Sequence, residues 1–156
     1  MMRLAIEMDY PEILPTLLAH GLPFSRYAQE AVKHRSKKVL TLFLQHGWDI
    51  NQAGETMPLV LAHAVEDEEM KLWLLNHGAD PNKQCAINLK PLSWAVKRAS
   101  LSTSNLLFKR GADTLKGELL HHAINRKAEV IKVLSLLLKK GAPLNGKQYK
   151  NHTNLF

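Results

Sequence analysis

Two groups of side chains have the residue types for metal or acid–base chemistry. His121-His122 is the one adjacent histidine pair, and residues 66–69 form a run of four carboxylates. Neighbours on a helix point about 100° apart, so this pair cannot hold one metal ion together. Glu68 and Glu69 precede an apolar helical segment, where they would meet the positive N-terminal end of the helix. We therefore predict structural roles for both groups and no metal site.

Other catalytic signatures are missing from the sequence. It contains no phosphate-binding glycine loop, nucleophile elbow or zinc-protease motif. Its single cysteine, Cys85, cannot form an internal disulfide. Trp73 and Trp94 lie in apolar helical segments, where core packing explains them better than stacking on bases. We predict that the chain is not an enzyme and requires no cofactor.

Composition indicates one globular domain of 156 residues, 46% of them hydrophobic. No apolar run approaches the roughly 18–20 residues that span a bilayer, and the start of the chain does not resemble a signal peptide. We expect an intracellular protein, in the cytoplasm or the nucleus. The net charge of +7, concentrated in the C-terminal half, indicates first a solvated surface, and after that an acidic partner or, less strongly, nucleic acid.

The sequence is built from five related segments. Each ends in an apolar run closed by a glycine, at Gly21, Gly47, Gly78, Gly111 and Gly141. An alanine stands sixteen residues before each of the first four glycines, at Ala5, Ala31, Ala62 and Ala95. In the fifth copy Ala123 precedes its glycine by eighteen residues, which predicts a two-residue insertion. This periodicity is typical of a stacked repeat array.

Each copy predicts two short helices. The second helices are expected around residues 10–20, 37–46, 68–77, 102–110 and 130–140, each closed by a glycine in the left-handed conformation. The residue before that glycine is His20, His46, His77, Arg110 or Lys140, where a cation can meet the helix C-terminal dipole. The alanines are expected where the paired helices approach closely.

These segments resemble the ankyrin-repeat family. The resemblance rests on Pro58-Leu59, Pro91-Leu92 and Leu120-His121 ahead of their alanines, and on the return Gly78-Ala79-Asp80-Pro81-Asn82. It implies an all-α solenoid of about five helix-turn-helix repeats in a single domain spanning 1–156. The repeats would cover about 1–23, 24–51, 52–82, 83–113 and 114–145, with a tail at 146–156.

The sequence also departs from the family pattern. Met57, Lys90 and Glu118 replace its threonine N-cap, which costs roughly 1 kcal/mol per lost cap. Only the finger around residues 83–90 has full length; the others are short or truncated. The tail either caps the last repeat or begins a further one, and an uncapped last pair would expose an apolar flank.

The resemblance implies a protein-interaction module, with the residues two and three after each alanine facing a concave groove. This places basic residues on both sides of an apolar centre, and apolar residues on the finger. The partner-binding residues we predict are Lys33, His34, Val65, Ile87, Leu89, Lys97, Arg98, Asn125 and Arg126. The expected partner is a protein with an acidic segment. The alternatives are an enzyme or small-molecule binder on this scaffold, or nucleic-acid binding through the basic C-terminal half.

Overall fold

The computed structural model describes residues 1–21, 24–52, 59–83, 90–115 and 118–144, and these ranges contain helices and no strand. A 3-10 turn at Pro11–Ile13 precedes the second helix. The helices are α1 (Met2–Glu7), α2 (Leu14–Leu18), α3 (Phe24–Lys33), α4 (Lys37–Gln45), α5 (Val60–His63), α6 (Glu68–Asn76), α7 (Pro91–Arg98), α8 (Leu101–Lys109), α9 (Leu119–Ile124) and α10 (Val130–Lys139).

The helices stack in consecutive pairs. The first helices α1, α3, α5, α7 and α9 contact one another in that order, and each contacts the second helix of its own repeat. Four of the five second helices lie within a residue of their predicted bounds, and the first, predicted at 10–20, is the 3-10 turn followed by the short α2. The two extra residues of the fifth copy are divided: α10 begins seven residues after Ala123, against six in the three preceding copies, and it has ten residues against nine. Five residues, 125–129, separate α9 from α10. In the described ranges no helix has the length and apolarity needed to cross a membrane.

Small side chains allow the first helices to pack closely. The alanine of every copy is buried, and Ala31, Ala95 and Ala123 have no exposed surface at all. Larger apolar side chains from both helices, such as Leu40 and Phe43 of α4, complete one continuous core. Because each repeat buries its flank on the next one, the core runs along the whole stack.

Each second helix ends at a glycine with positive φ. The five φ angles lie between 75° and 91°, where residues with a Cβ are strained. His20, His46 and His77 each place Nδ1 2.8–3.0 Å from the carbonyl oxygen four residues earlier. With its proton on Nδ1, the ring donates to a carbonyl of the last helical turn, and at Leu42 and Trp73 that carbonyl also accepts the backbone N–H of the histidine. The structural role expected for these histidines is therefore confirmed.

Asparagines after the glycines link neighbouring repeats. The Asn82 amide donates through Nδ2 to the Gly111 carbonyl oxygen at 2.7 Å, and its Oδ1 accepts from the Asp113 N–H at 2.8 Å. Asn51 makes the same two bonds to the next repeat, to the Gly78 carbonyl oxygen and from the Asp80 N–H. The second and third copies therefore each supply one step of this asparagine ladder.

Helix N-termini are capped unevenly. Lys90 and Glu118 precede α7 and α9 without a side-chain capping bond, as the altered motif predicted. Met57 lies outside the described residues. Asp67 caps its own helix, α6, and Asp9 of the first repeat accepts from the Val39 N–H of α4 at 3.0 Å. The cap on α4 therefore comes from a neighbouring repeat.

Both ends of the stack expose apolar side chains. Ile131 and Leu138 of α10 are exposed at one end, and Leu4 and Met8 at the other. Apolar side chains are thus exposed on the first and the last helix pair among the described residues. The tail at 146–156 lies outside them.

Candidate functional site

Three adjoining clefts lie beside the C-terminal ends of the first helices. Together these three clefts are called the groove. The first, of about 290 Å³, is lined by residues of α3 and of the α5–α6 turn, and the second, of about 90 Å³, lies between α5 and α7. The third and largest, of about 500 Å³, lies between α7 and the loop joining α9 to α10, and is called the loop cleft. Glu66 lines all three clefts.

The cations at the α3 end of the groove have acidic partners. Lys33 and His34 both face Glu30, at 3.8 Å and 3.5 Å. Arg35 donates through Nε to Asp67 Oδ2 at 2.5 Å. Lys33 lines the first cleft, as predicted for a groove residue, whereas His34 is not part of its lining. The positive charge at this end is therefore largely balanced within the protein.

The centre of the groove is polar rather than apolar. Val65 is only 3% exposed, and Ala64 is also buried. Helix α5 ends at His63, so the two residues after it belong to a turn that directs their side chains into the core. Exposed His63 and Glu66 line the clefts here. Val65 lines the second cleft, but because it is buried it offers little apolar surface to a partner.

Three cations of the loop cleft have no acidic partner in the described part of the chain. Lys97, Arg98 and Lys127 are exposed, and no described carboxylate oxygen lies within 4.0 Å of their nitrogens. Arg98 places its guanidinium 4.4 Å from the ring centroid of Trp94, which orients this side chain. Positive charge available to a ligand is concentrated at this end of the groove.

Arg126 is occupied by the protein's own backbone. Its Nη1 and Nη2 donate to the carbonyl oxygens of Val96 and Ala99 at 2.9 Å each, and its Nε donates to the Ala128 carbonyl. The guanidinium thus caps the C-terminal end of α7, where carbonyls lack helical partners. Asn125 likewise donates to the His121 carbonyl oxygen at 3.0 Å. Both residues line the loop cleft, but mainly hold its wall in place.

Two histidines near the groove cations have lowered pKa values. Burial lowers the pKa of His63, and the charges of Lys33 and Arg98 lower it further. Burial also lowers the pKa of His122, followed by repulsion from Lys97. The neutral forms of both rings are favoured first by partial burial and then by the positive charges around them. Sequence reasoning missed Glu66 and Lys127 as lining residues, although Lys127 lies in the insertion recognised from the repeat spacing.

The finger residues predicted to contact a partner, Ile87 and Leu89, lie outside the described residues. Over the ranges that are described, no group of three or more His, Cys, Asp or Glu side chains could hold a metal ion. The rings of His121 and His122 lie 6.2 Å apart between centroids, nearly at right angles.

Comparison with known proteins identifies the family. The ankyrin repeat protein FPV018 of fowlpox virus (strain NVSL) is 39% identical over 89 residues, covering 55% of this chain and 13% of that protein. The solved ankyrin repeat domain of Bcl-3, described as a unique member of the IkappaB protein family, matches 86% of this chain at 26% identity with a TM-score of 0.66. The chain is an ankyrin-repeat protein.

This ankyrin-repeat chain spans 13% of the length of the curated relative and 66% of the Bcl-3 chain. No family model matches it. The predicted all-α ankyrin solenoid is confirmed by the solved domain and by the helix pairs described above. Ankyrin-repeat relatives indicate a protein-interaction module and, in general, a scaffold without catalytic activity.

Proposed function

We propose that this ankyrin-repeat chain is a non-catalytic, intracellular interaction module whose groove binds an acidic segment of a partner protein. The observation that carries the proposal is the set of three cations, Lys97, Arg98 and Lys127, that line the loop cleft and have no acidic partner among the described residues. Charged patches of this kind accelerate association with a partner of opposite charge and select against partners of like charge.

Nucleic acid is the less favoured ligand for this groove. A nucleic acid presents a continuous row of phosphates, and its binding surfaces are correspondingly uninterrupted in positive charge. Here Glu66 lines every cleft, and Asp67 lines the first. A peptide can place its carboxylates beside the cations and leave neutral residues opposite Glu66.

An enzyme or small-molecule binder is also less favoured. Ligand pockets are usually enclosed and mostly apolar, with a few convergent polar groups. The loop cleft is an open space lined largely by charged side chains. Its lining combines one carboxylate, Glu66, with four cations and an asparagine, and contains no serine, cysteine or histidine.

A peptide selection tests the proposal. The purified protein and a Lys97→Glu, Arg98→Glu, Lys127→Glu variant are each used to select binders from a displayed library of random 12-residue peptides. Arg126 is left unchanged because its loss would disturb the end of α7. We expect peptides selected by the wild-type protein to be enriched in Asp and Glu, and to lose binding to the variant.

Two results would contradict the proposed function. One is selection of peptides without acidic enrichment; the other is equal retention of the acidic peptides by the charge-reversed variant. A labelled 20-nucleotide single-stranded DNA provides the nucleic-acid comparison. Tight, strongly salt-dependent DNA binding without any acidic peptide would support the alternative function instead.

A further inference from the structure

We propose that the acidic segment is anchored in the loop cleft by Lys97, Arg98 and Lys127, and that Arg126 is a positioning residue that holds the loop in place without contacting the partner. This inference rests on the proposed function and assigns the anchoring site within the groove. It is carried by the inserted loop, its attachment to α7 and the distribution of unpaired charge.

The loop between α9 and α10 forms one wall of the loop cleft. Residues 125–128 all line the cleft, and Lys97 and Arg98 of α7 line it from the preceding repeat. In the fourth repeat Ala99 and Ser100 alone connect α7 to α8, whereas five residues, 125–129, connect α9 to α10. The longer connection of the fifth repeat extends alongside α7.

Arg126 attaches this loop to the preceding repeat. Its two bonds to Val96 and Ala99 cross from the α9–α10 loop to the end of α7, and its third bond, to Ala128, lies within the loop. A guanidinium at helix carbonyls is favoured by hydrogen bonding and by the helix dipole. Three of its N–H groups are thus engaged by the backbone, and Lys127 is held beside the α7 cations.

The cations at the two ends of the groove differ in whether they have acidic partners. Lys33 and Arg35 at the α3 end are engaged by Glu30 and Asp67. A carboxylate arriving there must compete with an existing acidic partner. At the loop cleft the cations have no such partner in the described ranges, so an incoming carboxylate replaces only water. The loop cleft is therefore the favoured anchoring position.

Glu66 makes the charge of the loop cleft differ from one side to the other. It is the single acidic residue of the lining and lies on the α5–α6 turn, whereas the cations belong to α7 and the loop. A bound segment would place its carboxylates toward α7 and the loop, and would place neutral or basic residues toward Glu66. A peptide with carboxylates on both of its sides would bind less well, because the carboxylate facing Glu66 would be repelled.

Fluorescence anisotropy at low salt tests the anchoring site. The probe is a fluorescein-labelled 12-residue peptide containing four glutamates and two leucines, and its control has four glutamines instead. Lys97→Glu/Lys127→Glu is compared with Lys109→Glu/Lys139→Glu. The second pair makes the same charge change in the same two repeats, at exposed lysines near the ends of α8 and α10.

We expect Lys97→Glu/Lys127→Glu to weaken binding of the glutamate peptide by at least about tenfold, because two attractions become repulsions. The matched pair should weaken it by less than about threefold, through the general field alone. Equal weakening by both pairs would overturn the anchoring site while leaving the acidic partner intact. Failure of the wild-type protein to bind the glutamate peptide would overturn both proposals.

The role of Arg126 is tested by salt dependence. Reversal of the contacting lysines should reduce the slope of log Kd against log salt, because fewer charge contacts remain to be screened. Arg126→Gln should lower affinity but keep the wild-type slope, and should increase hydrogen exchange at loop residues 127–129. Measurements well below the melting temperature of the variant exclude a mere loss of folded protein. A reduced slope with Arg126→Gln would show direct contact and overturn its positioning role.

Discussion

Replacement of Asn82 by alanine should loosen the junction between the third and fourth repeats. The side chain makes two inter-repeat hydrogen bonds, to the Gly111 carbonyl oxygen at 2.7 Å and from the Asp113 N–H at 2.8 Å. A typical intramolecular hydrogen bond contributes about 1 kcal/mol net, so the pair contributes about 2 kcal/mol. The Gly111 end is exposed, so water can satisfy that carbonyl once the amide is removed.

This loss should be visible as a lower melting temperature. At this chain length 1 kcal/mol corresponds to about 2–4 °C, so Asn82→Ala should melt about 4–8 °C below wild type in a circular dichroism scan. Asn105→Ala is the matched control, since Asn105 lies on α8 outside the asparagine ladder. It should change the melting temperature by less than about 2 °C. A decrease no larger than the control's would refute the reasoning that the ladder holds adjacent repeats together.

Three further predictions concern stability. Ala95→Leu should lower the free energy of unfolding by about 1–3 kcal/mol in urea titrations, because Ala95 is fully buried on α7, which packs between α5 and α9. An unchanged urea midpoint would contradict this close packing. Gly78→Ala should cost about 1–2 kcal/mol purely through its φ of 91°, since no atom lies within 4 Å of the added Cβ; a neutral effect would show that the turn relaxes. The pKa values of His63 and His122 lie below the ordinary 6.5, so the unfolded chain binds protons first. Their contribution to stability is therefore present above pH 6.5 and is lost as pH falls through the folded-state pKa values. The melting temperature of His63→Gln/His122→Gln should accordingly fall less between pH 7.5 and pH 5 than that of the wild-type protein.

The helix pairs could be predicted from sequence because certain backbone positions accept only certain residue types. Ala95 and Gly78 mark a close helix approach and a left-handed turn, and both demands restrict residue type regardless of distant contacts. The same repeat phase placed Lys97 and Arg98 at the groove, because α7 continues through both residues.

The other features of the groove could not be predicted from sequence, because they depend on where helices end and on contacts between repeats. Val65 follows the end of α5, so the helical register that predicted its exposure no longer applies there. Arg126 caps carbonyls about 30 residues away, at Val96 and Ala99, and no local pattern reveals that the loop reaches them. Glu66 could not be recognised as a lining residue until the α5–α6 turn was placed beside α7.

The range of the cross-repeat bonds has a consequence for how the chain folds. In the described part of the chain, side-chain hydrogen bonds between repeats join positions from 27 residues apart, as in Asn51–Gly78, to 34 apart, as in Asn76–Arg110. Every such contact closes a loop about one repeat long, and none connects the first repeat to the last. Folding can begin at any helix pair and spread to its neighbours, with a similar entropy of loop closure at each step. The search for native contacts therefore stays local, so the time needed to fold should depend on the slowest junction rather than on the total length of the protein.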